Sequence, residues 1–186
     1  MPRAGLDSEA VVAAAAKLAD EAGLHQLTLA RLAQTLGIRT PSLYAHVDGL
    51  PDLRARLGAR GARELTAALQ VAAAGRSGRD ALRAVALAYR EYAHGHPGTY
   101  AATQVPADRD ENEAAASAVL ALMAAVLAGY GVAGEDVIHV VRAVRSALHG
   151  FVSLEREGGF ALSVSVPESY DRLIAMLDAG LSATLH

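Results

Sequence analysis

The sequence predicts an all-α fold of about nine helices: an N-terminal three-helix helix-turn-helix domain followed by a C-terminal helical bundle. Three observations carry this prediction. Apolar residues fall repeatedly at helical spacing, whereas strand-like alternation appears only briefly, in Phe160 to Val166 (FALSVSV), where nothing else in the chain offers a pairing partner. Glycine-rich punctuation at 75–78, 95–98 and 131–134 divides these stripes into helix-length pieces. The stretch Leu27 to Val47, LTLARLAQTLGIRTPSLYAHV, reads as two short helices joined by a tight turn.

Helix one spans Ser8 to Ala22 and is closed by Gly23. In the next helix Thr28 precedes Leu29, Leu32, Ala33 and Leu36, a stripe at i, i+3, i+4, i+7, and its hydroxyl is placed to cap a free backbone N–H. Gly37 suits a left-handed C-cap, and Ile38 is the apolar residue that tucks under the turn. Pro41 sits near the start of the third helix, where a missing N–H costs nothing. Leu43 and Val47, four apart, face inward, which leaves Arg39, Thr40, Ser42, Tyr44, Ala45 and His46 facing out. A helix with this polar outer tip is suited to the DNA major groove, its N-terminal residues meeting base edges while other groups hold phosphates. On pattern alone, an ordinary helical hairpin with a polar outer face remains the competing reading.

These residues resemble the tetracycline-repressor (TetR) family of transcriptional regulators. The matching features are Leu27-Thr28, Arg31-Leu32-Ala33, Leu36-Gly37-Ile38 and Pro41-Ser42-Leu43-Tyr44-Ala45-His46-Val47, and the match runs from about residue 8 to residue 60. The resemblance implies a DNA-binding regulator and assigns roles by position. Thr28 corresponds to a helix-start phosphate contact, Thr40, Pro41 and Ser42 to base-reading positions, and Tyr44 and His46 to contacts with the DNA backbone. Three positions depart from the pattern. Leu50, followed by Pro51, stands where the family usually has a phosphate-holding lysine. Ala30 replaces an arginine of some members, and Ala45 replaces a common aromatic. Arg31 and Arg39 are the nearby cations that compensate in part.

Domain boundaries are expected at 1–49 (helix-turn-helix), 50–74 (a connecting helix four) and 75–186 (ligand binding and dimerisation). Within the last, helix five covers Arg79 to His94, and a short helix six runs to about Gln104. A polar loop is expected over Val105 to Asn112, and helix seven covers Glu113 to Tyr130. Helix eight covers Glu135 to Glu157 and helix nine Pro167 to Leu185. Ala114 to Gly134 holds no charge over 21 residues. Its many alanines gain little in lipid and no basic flank orients it, so a helix buried on all sides by neighbours is expected rather than a membrane span.

Helix eight carries a wide apolar arc: Val137, Val141, Val144, Leu148, Phe151 and Val152, with Val140, Ala147 and Leu154 beside it. Helix nine adds Tyr170, Ile174, Leu177 and Leu181. An arc this wide calls for two partners, so a homodimer is expected, built on Val144, Leu148, Gly150, Phe151, Ile174, Leu177 and Leu181. Packing of both stripes within one chain is the alternative. The run Leu148-His149-Gly150-Phe151 resembles the Trp-His-Gly signature of actinobacterial family members, with Leu148 in place of Trp, and His94-x-His96-Pro97-Gly98-x-Tyr100 resembles the same subgroup. The family implies a small-molecule pocket among helices five, seven and eight. Tyr89, Tyr92, Tyr100, Met123 and Val126 are its candidate walls, and Arg142, Ser146 and His149 its polar anchors. For the tyrosines and the methionine the plainer reading is core filler, and for His149 it is a hydrogen-bonded buried histidine.

The 186 residues suffice for both domains, and a hydrophobic content of 52% argues against disorder. With no cysteine there is no disulfide and no thiolate metal site; His94 and His96, two apart, point in different directions on a helix. No nucleophile-elbow, P-loop, dinucleotide or zinc-protease motif occurs, so neither enzymatic activity, cofactor nor metal is expected. The formal net charge is −3, but residues 1–60 carry seven basic and six acidic groups, +1, and the rest ten basic and fourteen acidic, −4. Modest phosphate neutralisation and reliance on dimerisation follow. The N-terminus lacks an apolar signal region, so the cytoplasm is the expected location, with no membrane partner. Two classes remain at this point. One is a ligand-responsive repressor of a palindromic double-stranded operator. The other is a helical small-molecule-binding or catalytic protein with a vestigial helix-turn-helix.

Overall fold

The computed structural model describes residues 6–105 and 109–183, with side chains throughout except at 109–116. Among the described residues there are nine α-helices: α1 Ser8–Ala22, α2 Leu29–Leu36, α3 Thr40–Leu43, α4 Gly49–Ala73, α5 Gly78–Gly95, α6 Pro97–Ala102, α7 Arg109–Ala128, α8 Asp136–Arg156 and α9 Val166–Ala183. A 3-10 turn, Leu24–Gln26, lies between α1 and α2. No strand occurs among the described residues, and the alternating 160–165 segment is a loop leading into α9. The polar loop expected over Val105 to Asn112 is shorter than the sequence reading gave. α7 already begins at Arg109, and the acidic Asp110 and Glu111 are of the charge type that a helix first turn favours. Positions 106–108 of that loop, and the expected end of helix nine at Leu185, lie outside the described residues.

The chain divides into two compact units, one formed by 1–64 with 95–115 and the other by 65–94 with 116–186. In the first, α1 is the spine. Asp7 caps it by accepting from the Ala10 N–H at 2.7 Å, and Val11, Val12, Ala15, Ala16, Leu18 and Ala19 are buried along it. Leu27, Leu32, Ala33, Leu43, Val47, Leu53 and Leu57 complete this core. Each fully buried leucine or valine contributes roughly 1.5–3 kcal/mol.

Sequence order alone puts α6 in the C-terminal body, yet it packs on α1. A Cβ on Gly98 would stand 2.1 Å from the Ala19 carbonyl oxygen, so the two backbones touch. The Asp20 carboxylate accepts from the Thr99 N–H at 2.7 Å and the Thr99 hydroxyl at 3.1 Å, capping α6 from another helix. On α4, Gly58 and Gly61 leave room for Ala102, Thr99 and Thr103 of the same short helix.

In the second unit, α5 buries Ala81, Leu82, Val85, Ala86, Tyr89, Tyr92 and Ala93. From the other helices Met123, Val126, Leu127, Val137, Val144, Leu148, Val152, Tyr170, Ile174 and Leu181 are also buried. The Tyr170 hydroxyl donates to the Ala86 carbonyl at 2.6 Å, and the Tyr130 hydroxyl donates to Asp178 at 2.7 Å. α7 is not buried on all sides. Met123, Val126 and Leu127 face the core, while Leu120, Ala121, Ala125 and Ala128 are exposed, positions where alanine's small side chain leaves little apolar surface to water. α8 is long and apolar enough by composition to cross a membrane. It nevertheless carries Arg142 and Arg145 at mid-length, exposed, while its buried valines and Leu148 face the chain's own core.

Candidate nucleic-acid interface

The turn between α2 and α3 is built as the residue types require. The Thr28 hydroxyl accepts from the Arg31 N–H at 3.2 Å, which starts α2, and its own proton remains to donate outward. Gly37 lies at φ +66°, and its N–H reaches the Ala33 and Gln34 carbonyls. A Cβ there would meet no atom within 4 Å, so glycine is required by the backbone conformation and not by space. The Ile38 N–H then returns to the Ala33 carbonyl at 3.0 Å.

α3 itself is short, Thr40–Leu43, but its hydrogen bonding continues as a turn. The Tyr44 N–H donates to Pro41, and the His46 and Val47 N–H groups both donate to the Leu43 carbonyl at 2.9 and 3.0 Å. Leu43 and Val47 are buried beneath, in the same core as Leu32 and Leu53. Tyr44 is 60% exposed. Arg39, Pro41, Ser42 and Ala45 are exposed beside it, and Thr40 and His46 are half-buried. The seven residues singled out for DNA contact, Thr28, Arg39, Thr40, Pro41, Ser42, Tyr44 and His46, therefore lie at or near the surface of one small unit. Leu50, at the usual lysine position, packs against the core. Nearby, Arg56 is engaged with Asp52 at 2.9 Å, and the Arg31 guanidinium donates to Gln26 at 3.1 Å.

The residues singled out for the ligand pocket are divided between the two units. Tyr89, Tyr92, Met123 and Val126 are buried in the C-terminal unit, whereas Tyr100 is buried in the N-terminal unit, on α6. Arg142 and Ser146 are exposed, because they sit two residues before Val144 and Leu148, about 200° around the helix from the buried stripe. His149 is half-buried; burial first, and Arg145 and Arg156 after it, lower its pKa from the ordinary histidine value.

The dimer stripe also needs correction. Val144, Leu148, Ile174 and Leu181 are already buried within the single chain and so face its own core. Phe151 and Leu177 are half-buried, Phe151 with its ring 4.8 Å from Phe160 and 5.0 Å from Tyr170. Gly150 is half-buried with open space where a Cβ would stand. The outward faces are instead Ile138, Arg142 and Ser146 on α8, and Ala175, Met176, Ala179 and Gly180 on α9.

The sequence reading missed a polar cluster in the C-terminal unit. Arg90 donates through two nitrogens to Glu155, one at 2.8 Å, and His94 Nε2 lies 2.8 Å from the same carboxylate. The Arg90 hydrogen bonds outweigh burial and bring the Glu155 carboxyl down to about 2. Burial first, and the neighbouring Tyr89 phenol next, push the Tyr170 hydroxyl well above the ordinary tyrosine range. Arg90 and Glu155 are 65 positions apart, and no local spacing announces such a pair.

A buried-backed, outward-facing second helix on a tight turn defines the class: a helix-turn-helix DNA-binding protein. Comparison with known proteins gives the family. A model described as the tetracyclin repressor-like C-terminal domain matches residues 82–177. The chain is 42% identical over 158 residues to an HTH-type transcriptional regulator of Mycobacterium tuberculosis, covering 83% of this chain and 72% of that one. It is 34% identical over 181 residues to the HTH-type transcriptional regulator YobS of Bacillus subtilis, covering 97% and 95%. A solved structure from Rhodococcus sp. RHA1, of unknown function, shares the fold with a TM-score of 0.80 at 22% identity over 98% and 99% of the two chains. The protein belongs to the TetR family of helix-turn-helix transcriptional regulators. It is therefore a regulator and not an enzyme, which removes the catalytic alternative.

Proposed function

We propose that the protein is a homodimeric repressor that grips a palindromic operator through two copies of α3 and is released by a small, mostly apolar molecule held in the C-terminal unit. The observation that carries this reading is the exposed face of residues 39–46, held from below by buried Leu43 and Val47. Thr40, Pro41 and Ser42 sit at the N-terminal tip, where base edges are read, and Tyr44, His46 and Thr28 are spaced to hold phosphates on either side. Acting on DNA, it works in the cytoplasm. The second copy docks on the outward faces of α8 and α9, with Gly150 and Gly180 permitting close approach.

Tyr89, Tyr92, Met123 and Val126, all buried in the C-terminal unit, supply the apolar walls for the effector, and Arg90, which pairs with Glu155 and lies over the Tyr170 ring, is a polar partner for it. Effector binding repositions α4, the helix that runs from one compact unit into the other, and so changes the spacing of the two recognition helices. That spacing must be about 34–36 Å, or a multiple, for successive major grooves. A ligand shifts this balance only by binding one conformation better than the other.

The test is to enrich duplexes from a random-sequence pool with the full-length protein, footprint the winner, and repeat the binding with a panel of apolar small molecules. A two-fold symmetric footprint released by at least one compound is expected. No enriched duplex refutes the reading, and binding strengthened by ligand reverses the sign of regulation.

A further inference from the structure

Ser8 is the first residue of α1, yet it plays no part in starting that helix, since Asp7 accepts from the Ala10 N–H and supplies the cap. The Ser8 hydroxyl instead crosses to the end of the recognition segment and donates to the His46 carbonyl at 3.0 Å, 38 residues away. The carbonyls at a helix C-terminus have no partner within their own helix. Here the Leu43 carbonyl accepts from both His46 and Val47, and the His46 carbonyl is taken by α1. Val47, buried, anchors the same end from below, and the Asp48 N–H is held by Asp52 of α4 at 2.8 Å. Of these anchors, the Ser8 bond ties the main chain of His46, whose side chain is placed on the DNA, to a helix outside the recognition segment. A binding surface needs its side chains held to a few tenths of an ångström by bonds behind them, and a four-residue helix supplies little rigidity of its own.

We propose that Ser8 is a positioning residue for DNA recognition. By tying the His46 carbonyl to α1 it fixes the direction in which Tyr44 and His46 leave the recognition segment, without itself touching DNA. The inference rests on the assignment of Tyr44 and His46 to the DNA backbone made above.

The test uses the full-length protein and the duplex it enriches from a random-sequence pool. Ser8→Ala is expected to weaken binding about five- to tenfold, while the melting temperature falls only by the few degrees that one lost internal hydrogen bond costs. Ser8→Thr keeps the hydroxyl and is expected to restore binding to within about twofold. In a Tyr44→Ala, His46→Ala background, Ser8→Ala should cost less than about twofold, because the contacts it positions are gone and neighbouring effects do not add. Equal losses in both backgrounds, a Ser8→Ala protein that binds like wild type, or a Ser8→Thr protein as weak as Ser8→Ala would each overturn the proposal. If the Tyr44→Ala, His46→Ala protein binds as tightly as wild type, the recognition assignment itself fails, and the role of Ser8 with it.

Discussion

Replacing Gly98 by alanine sets two calculable effects against each other. Gly98 is the second residue of α6, and helix propensity alone favours alanine there by up to about 1 kcal/mol. Packing opposes it. The new Cβ would lie 2.1 Å from the Ala19 oxygen, 2.2 Å from its carbonyl carbon and 2.7 Å from its Cβ, and two of these three atoms are backbone. Carbon–oxygen contacts tolerate about 3.3 Å at closest, so α6 must retreat from α1 by roughly an ångström. That retreat stretches the Thr99 N–H bond to Asp20, now 2.7 Å, and breaks the hydroxyl bond at 3.1 Å. Hydrogen bonds to a charged acceptor contribute about 1.5–3 kcal/mol, and overpacking costs about 1–3 kcal/mol. The net expectation is a loss of about 2–4 kcal/mol. Urea unfolding of the full chain followed by circular dichroism measures the loss, and amide hydrogen exchange places it in α1 and α6. Stability equal to or above that of wild type would show that propensity wins and that α6 is not wedged against α1.

Two further substitutions probe the C-terminal unit. Glu155 titrates at about 2 against an ordinary 4.5, held down chiefly by Arg90, so the folded state favours its charged form. Its stabilisation is complete above about pH 5 and is lost as pH falls toward 2. Glu155→Gln should lower stability at neutral pH and flatten the acid limb of the stability curve, and an unchanged acid limb would contradict the pairing. A Cβ at position 150 meets no atom within 4 Å in the single chain, and leucine favours helix over glycine, so Gly150→Leu should leave α8 formed. Sedimentation should show monomers that no longer bind the enriched duplex, whereas an intact dimer would move the interface away from this face of α8.

The helix-turn-helix was legible because every step of it is local. The Thr28 cap, the left-handed Gly37, Pro41 at the helix start and the Leu43–Val47 pair each act within a few residues, and the structure places all of them as their chemistry requires. Helix ends in the body were legible within a few residues for the same reason. What failed is the choice of partner for an apolar stripe. Val144, Leu148, Ile174 and Leu181 have the spacing of a seam, but spacing does not say whether the seam meets the same chain or another. α6 was misplaced because its seat depends on Gly58, Gly61 and Asp20, distant residues with no pattern linking them to Gly98 and Thr99. The Arg90–Glu155–His94 cluster was invisible because its members come together only when α5 packs beside the end of α8.

The central claim is that residues 39–46 are the surface that meets DNA. It is tested most directly by comparing wild type and Tyr44→Ala for affinity to the enriched duplex by fluorescence anisotropy, alongside their melting temperatures. Tyr44 is 60% exposed and its removal leaves buried Leu43 and Val47 in place. Affinity is expected to fall about tenfold or more, equivalent to 1.4 kcal/mol or above, while melting and dimer formation are unchanged. A Tyr44→Ala protein that binds the duplex as tightly as wild type would contradict the account.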